Sequence, residues 1–307
     1  MVRLLRTYGA VVTSMIFWAF SFIWFKVANQ FYSPLIIVYG RLVISVIMLT
    51  IFLAVTGRFE KIKRKDRKFF LLLAFSEPFI YFLGESFGLT YVSSTVGAVI
   101  ISTIPVFTAL GGWIFFGEKL RWLNYAGIVL SFAGVLVFVL NLDGSLSFDP
   151  RGLGLLAVAV LAAVGYTLTL RKLAGLYHPI YIVNIQNIIG MILFTPVMLI
   201  FERGHMASFE YSPVEFWAII KLAIFASSGA FILFGFAVRS LGATRANVFS
   251  NAIPIFTAIF AFFIMGESIG FQKIIGMAIV ITGLFLSQSY KKEWKKPDGT
   301  ILAGKTA

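Results

Sequence analysis

Three charged residues sit inside apolar runs long enough to cross a bilayer, and chemistry is expected there first. Arg41 lies in "PLIIVYGRLVISV", and Glu77 and Glu85 lie in "LLLAFSEPFIYFLGESFG". A charge at the bilayer centre costs a few kcal/mol or more unless it is hydrated or paired, so such residues mark cavities, relays or ligand sites. Glu77, Tyr81 and Glu85 are spaced by four and share one helical face, which cannot favourably look into lipid. Arg41 and Glu85 each lie ~10 Å from the same end of sequential, antiparallel helices, so they form a candidate ion pair. Such a pair would either fix helix packing or act in gating and substrate binding, and spacing alone does not separate the two. Glu77 is nearer the midplane, with no basic residue at its own level. A carboxylate there suits proton binding or recognition of a substrate amine; the alternative is a protonated glutamate bonded to a neighbouring helix. Pro78 disfavours helical geometry at Glu77 itself, so a local break is expected.

Other polar groups gather around these. Ser14, Trp18 and Ser21 share one face of the first apolar run, Asn184, Gln186 and Asn187 stand in the seventh, and Asn247, Ser250 and Asn251 open the ninth. Trp18, Ser21, Tyr81, Tyr166, Asn187 and Asn251 join Glu77 as candidate substrate contacts, because they share faces or levels with polar residues. Pro105 and Pro254 read as mid-helix residues, each removing one backbone hydrogen bond, and are candidate hinges.

The elements that must position these residues are membrane helices. The 307 residues are 59% apolar and only 13% charged, with a mean hydropathy of +0.93. A soluble fold would have too little polar surface to cover that much hydrocarbon. Ten spans are expected near 8–27, 34–55, 69–91, 94–116, 123–140, 152–170, 180–200, 215–238, 244–265 and 271–290, each about long enough for ~30 Å of hydrocarbon. Of the 26 Lys and Arg residues, all but Arg41 fall in loops or near helix ends, twenty on one side against five on the other. That bias places both termini in the cytoplasm. The net charge of +13 is thereby read as membrane orientation rather than as a nucleic-acid surface.

One phrase occurs twice. "STIPVFTALGGWIFFGEK" from Ser102 returns as "NAIPIFTAIFAFFIMGES" from Asn251, so that Pro105, Gly117 and Glu118 recur as Pro254, Gly266 and Glu267, 149 residues on. Gly127 and Gly134 recur as Gly276 and Gly283 at the same shift, and these glycines read as close helix packing, as do Gly84 and Gly88. Five helices per half is an odd number, so equivalent helices point in opposite directions. Inverted repeats of this kind characterise secondary transporters. The expected organisation is a first repeat over 1–140, a joining loop over 141–151, a second repeat over 152–290 and a basic tail over 291–307.

These segments, with Pro34 to Arg41 of the second span, resemble the EamA-type transporters of the drug/metabolite transporter superfamily over about residues 8–290. The resemblance implies an all-α membrane protein of ten helices around a central cavity, in a bacterial inner membrane, exporting or exchanging small metabolites such as amino acids. Gln186 stands where the second half would repeat Arg41, so any role of that arginine is not duplicated.

Enzyme signatures are missing from the sequence. There is no GxxxxGK[ST] phosphate loop, no HExxH and no Ser/His/Asp set. With no cysteine, and with His178 and His205 both in loops, neither a metal nor another cofactor is expected. The expected partners are a small-molecule substrate, a proton and membrane lipid, in a monomer or weak dimer. A channel would want a filter motif or acidic ring, and a nucleotide-sugar or phosphate-ester carrier several intramembrane cations, where only Arg41 is available. A non-transporting structural or receptor subunit would pack its halves without a cavity.

Overall fold

The computed structural model describes residues 2–116, 122–139, 149–203, 211–241, 246, 249–267, 270–287, 294–295 and 301–302. Glu118, Asn247, His205 and most of the joining loop and tail lie outside the described residues. Among the described residues, seven helical segments are long and apolar enough to cross a bilayer: Arg6–Ala28, Pro34–Thr56, Arg64–Tyr91, Ser94–Gly111, Pro150–Leu173, Pro179–Phe201 and Pro213–Leu241. Three shorter apolar helices accompany them, Trp122–Val137, Phe249–Met265 and Ile274–Leu286. The protein is thus an all-α, multi-pass membrane protein. Helix is the expected solution, because hydrocarbon offers no partner for an unpaired backbone amide. The described strand structure is a two-residue antiparallel ladder, Trp294–Lys295 against Ile301–Leu302.

Several helices start on one device, a capping side chain followed by proline. The helix α2 (Pro34–Thr56) is preceded by Ser33, whose Oγ accepts from Ile36 N at 3.3 Å. Asp149 caps Pro150–Leu173 by accepting from Arg151 N at 2.9 Å, and His178 Nδ1 accepts from Ile180 N at 3.4 Å ahead of Pro179–Phe201. Proline costs nothing at the first helical position, where its missing N–H would have no intrahelical partner. Burial holds the His178 imidazole below its ordinary protonation range, with the nearby Glu60 opposing, and the acceptor role of Nδ1 needs that neutral ring. The turn around His178 docks on the link that follows α2. Tyr177 donates to Asp66 Oδ2 at 2.8 Å and accepts from Lys63 N at 3.1 Å, while His178 N donates to Glu60 Oε1 at 2.8 Å.

Helix α1 covers Val2–Ala28. The third span is divided into α3 (Arg67–Ala74), a wide π turn over Phe75–Ile80, and α4 (Tyr81–Tyr91). The break expected at Pro78 is present: Glu77 has φ −146° and ψ 121°, outside helical geometry. The fourth span divides into α5 (Ser94–Ile101) and α6 (Ile104–Phe116), followed by α7 (Trp122–Val139), α8 (Pro150–Leu173) and α9 (Pro179–Phe201). A second wide turn, Leu222–Ala230, separates α10 (Pro213–Lys221) from α11 (Phe231–Leu241). After Phe249–Ala252 come α12 (Ile253–Phe260), a π turn over Ala261–Met265, and α13 (Phe271–Ser287).

The mid-helix reading of the two prolines is corrected here. Pro105 stands in the first turn of α6, after a break at Ser102 and Thr103, and Pro254 stands in the first turn of α12 after the 3-10 turn. Neither removes a bond from a continuous helix. The fourth span breaks just before its proline, as the clash of a proline ring with the preceding turn requires. Ser102 Oγ and Thr103 Oγ1 reach back to Val99 O and Ile100 O at 2.7 and 2.6 Å, satisfying carbonyls at the break.

The paired glycines pack as close approach requires. A Cβ on Gly134 would lie 2.5 Å from Val280 N and 2.9 Å from Gly276 O, and one on Gly283 would lie 2.3 Å from Ser131 N and 2.7 Å from Gly127 O. Helices α7 and α13 therefore touch backbone to backbone, and any side chain at either glycine would push them apart. The contact is reciprocal: adding 149 to Gly134, Ser131 and Gly127 gives Gly283, Val280 and Gly276. Gly84 and Gly88 of α4 meet α8 in the same way, at Leu155 O and Leu156.

Candidate functional site

The Phe75–Ile80 turn is clamped from two sides. Pro78 packs into α9 at Gly190, where a Cβ would fall 2.2 Å from the proline Cγ, and Ser76 meets α8 at Gly165, with 3.0 Å from an added Cβ to Ser76 Oγ. Held there, Glu77 lines a cavity of about 70 Å³. A water needs roughly 10–15 Å³ on this measure, so there is room for several waters or for a ligand's head group.

The wall draws on both ends of the chain. Trp18, Ser21 and Phe22 come from α1, Arg41 from α2, and Tyr81, Phe82 and Glu85 from the third span. Ala163, Tyr166 and Thr167 of α8, Phe231 and Phe234 of α11, and Ser250 and Ile253 complete it with Ile101 and Ile104. Among the expected substrate contacts, Trp18, Ser21, Glu77, Tyr81 and Tyr166 lie on this wall. Asn187 and Asn251 do not. Asn187 donates to Ser45 Oγ at 2.8 Å and to Ser227 O at 3.2 Å, and Asn251 is buried two residues from Ile253 of the wall. Pro105 and Pro254 also lie off the wall, each next to a residue that lines it.

Arg41 and Glu85 share the cavity without touching, and the expected direct ion pair is replaced by separate partners. Arg41 Nε donates to Ser227 Oγ at 2.6 Å, and its guanidinium lies 4.1 Å from the centroid of the Phe82 ring. Cation–π contact of this kind is worth roughly 0.5–2 kcal/mol, more when desolvated. Glu85 Oε1 accepts from the Tyr81 hydroxyl at 2.8 Å. Glu77, only 6% exposed, has neither a hydrogen bond nor an ion pair among the described residues.

The second wide turn supplies what sequence reasoning missed. Ser228 Oγ donates to Ala223 O at 2.8 Å, so in its bond with Ser45 Oγ at 2.6 Å it accepts, and Ser45 in turn accepts from Asn187. Ser227 meanwhile holds Arg41. The available signal was Ser227-Ser228-Gly229 inside an apolar run, since serine–glycine pairs mark kinks. A ring cluster completes the wall: Trp18 meets Phe231 and Phe234 at 5.2 and 5.1 Å between centroids, and Tyr166 meets Phe231 at 5.8 Å. Nothing in sequence singles these two out among 34 phenylalanines.

Among the described residues, no cluster of three or more His, Cys, Asp or Glu residues is placed to hold a metal. The cavity combines rings, hydroxyls, a buried arginine and two buried carboxyl side chains, which suits binding of a small amphipathic molecule.

Known proteins share this plan. An uncharacterized transporter of Archaeoglobus fulgidus is 24% identical over 92% of this chain and 98% of its own length, and the Bacillus subtilis uncharacterized transporter YetK is 27% identical over 82% and 77%. A probable terminal-alkyne amino-acid exporter of Streptantibioticus cattleyicolor is 22% identical over 92% and 94%. A crystal structure with 16% sequence identity superposes with a TM-score of 0.69 over 92% of this chain and 98% of that one, which shows the shared fold. The model of the EamA-like transporter family matches residues 5–140 and again 150–288. Spanning most of the chain, those two matches make it a membrane transporter rather than an enzyme, and a member of the EamA-like transporter family.

Proposed function

We propose that the protein is a secondary transporter with ten spans in two inverted five-helix repeats, which exports or exchanges small metabolites, amino acids or their analogues first, by alternating access around the cavity. The observation that carries this is the composition of the wall. Arg41 and Glu77 from the first half face Tyr166, Phe231 and Ser250 from the second across one buried space. A ligand held there touches both halves, and relative motion of the halves would expose it to either side.

Support for the repeat is independent of the cavity. The family model matches twice, and the α7–α13 contact maps onto itself under the 149-residue shift, as a two-fold axis between the helices would require. The three shorter apolar helices add to the seven long ones to make ten. The amino-acid preference rests on the name of the Streptantibioticus relative and on the amphipathic wall. The basic bias of the loops supports cytoplasmic termini, and membership of the family is what favours an inner membrane.

Uptake of radiolabelled amino acids into liposomes holding the purified protein tests the reading. Saturable counterflow that needs the protein is expected. Absence of counterflow for every amino acid tried, with or without a pH gradient, overturns the substrate class; ohmic conductance in its place would mean a channel. The cysteine-free chain permits single-cysteine labelling, which should find both termini on the cytoplasmic side and Glu118 and Glu267 on opposite faces.

A further inference from the structure

Besides two tyrosines, the cavity holds one basic and two acidic side chains, whose formal charges do not cancel. Arg41 and Glu85 compensate one another across the wall even without touching: the guanidinium is fixed by Ser227 and Phe82, and the carboxylate by Tyr81. Glu77 is left over. It is buried, aimed into the space, and free of hydrogen bonds and ion pairs among the described residues. A lone carboxylate in a low-dielectric site is tolerated when a proton or a bound cation neutralises it.

What surrounds Glu77 favours one kind of cation. Trp18, Tyr166, Phe231 and Phe234 form a contiguous set of rings on the same cavity, with centroid separations of 5.1 to 5.8 Å. Ring faces attract ammonium groups and cover hydrocarbon equally well, whereas these four rings offer no oxygen ligand to an inorganic cation seated among them, apart from the Tyr166 hydroxyl. The titratable groups that face Glu77 are Arg41 of α2, Tyr81 and Glu85 of α4, and Tyr166 of α8; α1 and α11 present rings and Ser21, and α9, which packs on the turn at Gly190, has no residue on the wall among the described residues.

We propose that Glu77 is a cation-recognition site for a monocationic organic amine, seated among Trp18, Tyr166, Phe231 and Phe234, and that the amine and a proton occupy the carboxylate in turn. The empty site carries the proton on Glu77. When the amine enters, that proton leaves to solvent, and the ammonium N–H groups donate to the carboxylate. One proton is released per ligand bound, so the charge of the cavity is unchanged and exchange is electroneutral. A zwitterion brings no net charge, so Glu77 keeps its proton and none is released. This assignment rests on the reading of the cavity as the transport site and moves its ligand class from amino acids to their monocationic amine analogues.

Three probes with one ring and different charge test it on the purified protein: 2-phenylethylamine, phenylalanine and 3-phenylpropionate. Calorimetry and a pH-indicating dye in weak buffer read affinity and protons released. The amine should bind best and release about one proton, and its affinity should fall towards tenfold per pH unit on acidification. Glu77→Gln should weaken amine binding by tenfold or more and abolish both proton release and pH dependence, while Glu77→Asp retains them. If Glu77→Gln fails to fold, proton release by the wild type still decides. Tighter binding of phenylalanine without proton release, or preference for phenylpropionate, overturns the proposal in favour of recognition by Arg41. Liposomes that move amino acids while none of the probes binds would sink the cation site and leave transport standing. Amine binding with proton release, but no counterflow of any amine or amino acid, would do the reverse.

Discussion

Two wide turns interrupt membrane helices at matching places, Phe75–Ile80 and Leu222–Ala230, and they are put to different uses. Ser76-Glu77-Pro78 in one and Ser227-Ser228-Gly229 in the other stand 151 residues apart, as do Gly84 and Gly235 after them. In the second turn every hydroxyl is consumed. Ser227 holds Arg41, Ser228 bonds Ala223 O and Ser45, and the Ser227 carbonyl accepts from Asn187. In the first turn, the side chain at the corresponding centre is a carboxylate turned into open space. A break that is filled by its neighbours is a joint in the scaffold, whereas one that leaves an unpartnered carboxyl facing a cavity is where the proposed ligand would sit. The difference is made by partners, not by backbone shape.

That contrast can be broken at the filled turn first. Ser227→Ala removes the acceptor of a buried arginine, and hydrogen bonds to charged groups are worth about 1.5–3 kcal/mol. Thermal unfolding of the detergent-solubilised protein should show a loss of that size. A melt unchanged from wild type would mean that Arg41 finds another acceptor, and the second turn would then be no more structural than the first.

The next largest effect belongs at the clamp of the open turn. Gly190→Ala places a methyl 2.2 Å from Pro78 Cγ, and a proline ring cannot rotate away. Overpacking of this kind costs about 1–3 kcal/mol, and it would displace Glu77 as well. Both the melt and probe binding should suffer. Gly165→Ala should cost less, because what its methyl meets is the rotatable Ser76 hydroxyl at 3.0 Å. Equal damage from the two would show that the turn adjusts freely and that its clamp does not set the position of Glu77.

The open turn was legible from sequence and the filled one was not, for a physical reason. Glu77 and Pro78 in an apolar run announce a charge that hydrocarbon rejects and a backbone that cannot stay helical. Ser227-Ser228-Gly229 signals a kink at most, because a serine in a membrane helix can also satisfy itself on a preceding carbonyl, as Ser14 does at Val11 O. Arg41 was conspicuous for its charge, but its partner came from a helix far along the chain, which one-dimensional spacing does not show. The spans were readable because hydrophobicity runs in blocks of membrane length. Hydropathy shows the spans that hold Pro105 and Pro254, yet the turns that let these prolines open new helices depend on backbone geometry. Asn187 was visible as a deep amide, while its direction, towards Ser45 and Ser227 rather than the cavity, depended on neighbours.

The smallest expected effect probes the hydroxyl relay itself. Ser45 links Asn187 Nδ2 at 2.8 Å to Ser228 Oγ at 2.6 Å, and since Ser228 spends its proton on Ala223 O, Ser45 must donate onward. Ser45→Ala breaks both links but leaves partners that retain one bond each, Asn187 to Ser227 O and Ser228 to Ala223 O. The loss should therefore be about 1 kcal/mol, within the range for a neutral buried bond, rather than the larger cost of stranding a polar group. Amine binding and proton release should match wild type, because the relay meets the cavity only through the Arg41–Ser227 bond, which this substitution leaves intact. A shift in the pH dependence of binding in Ser45→Ala would show that the two turns are electrostatically joined, and the division into a scaffold joint and a ligand site would fail.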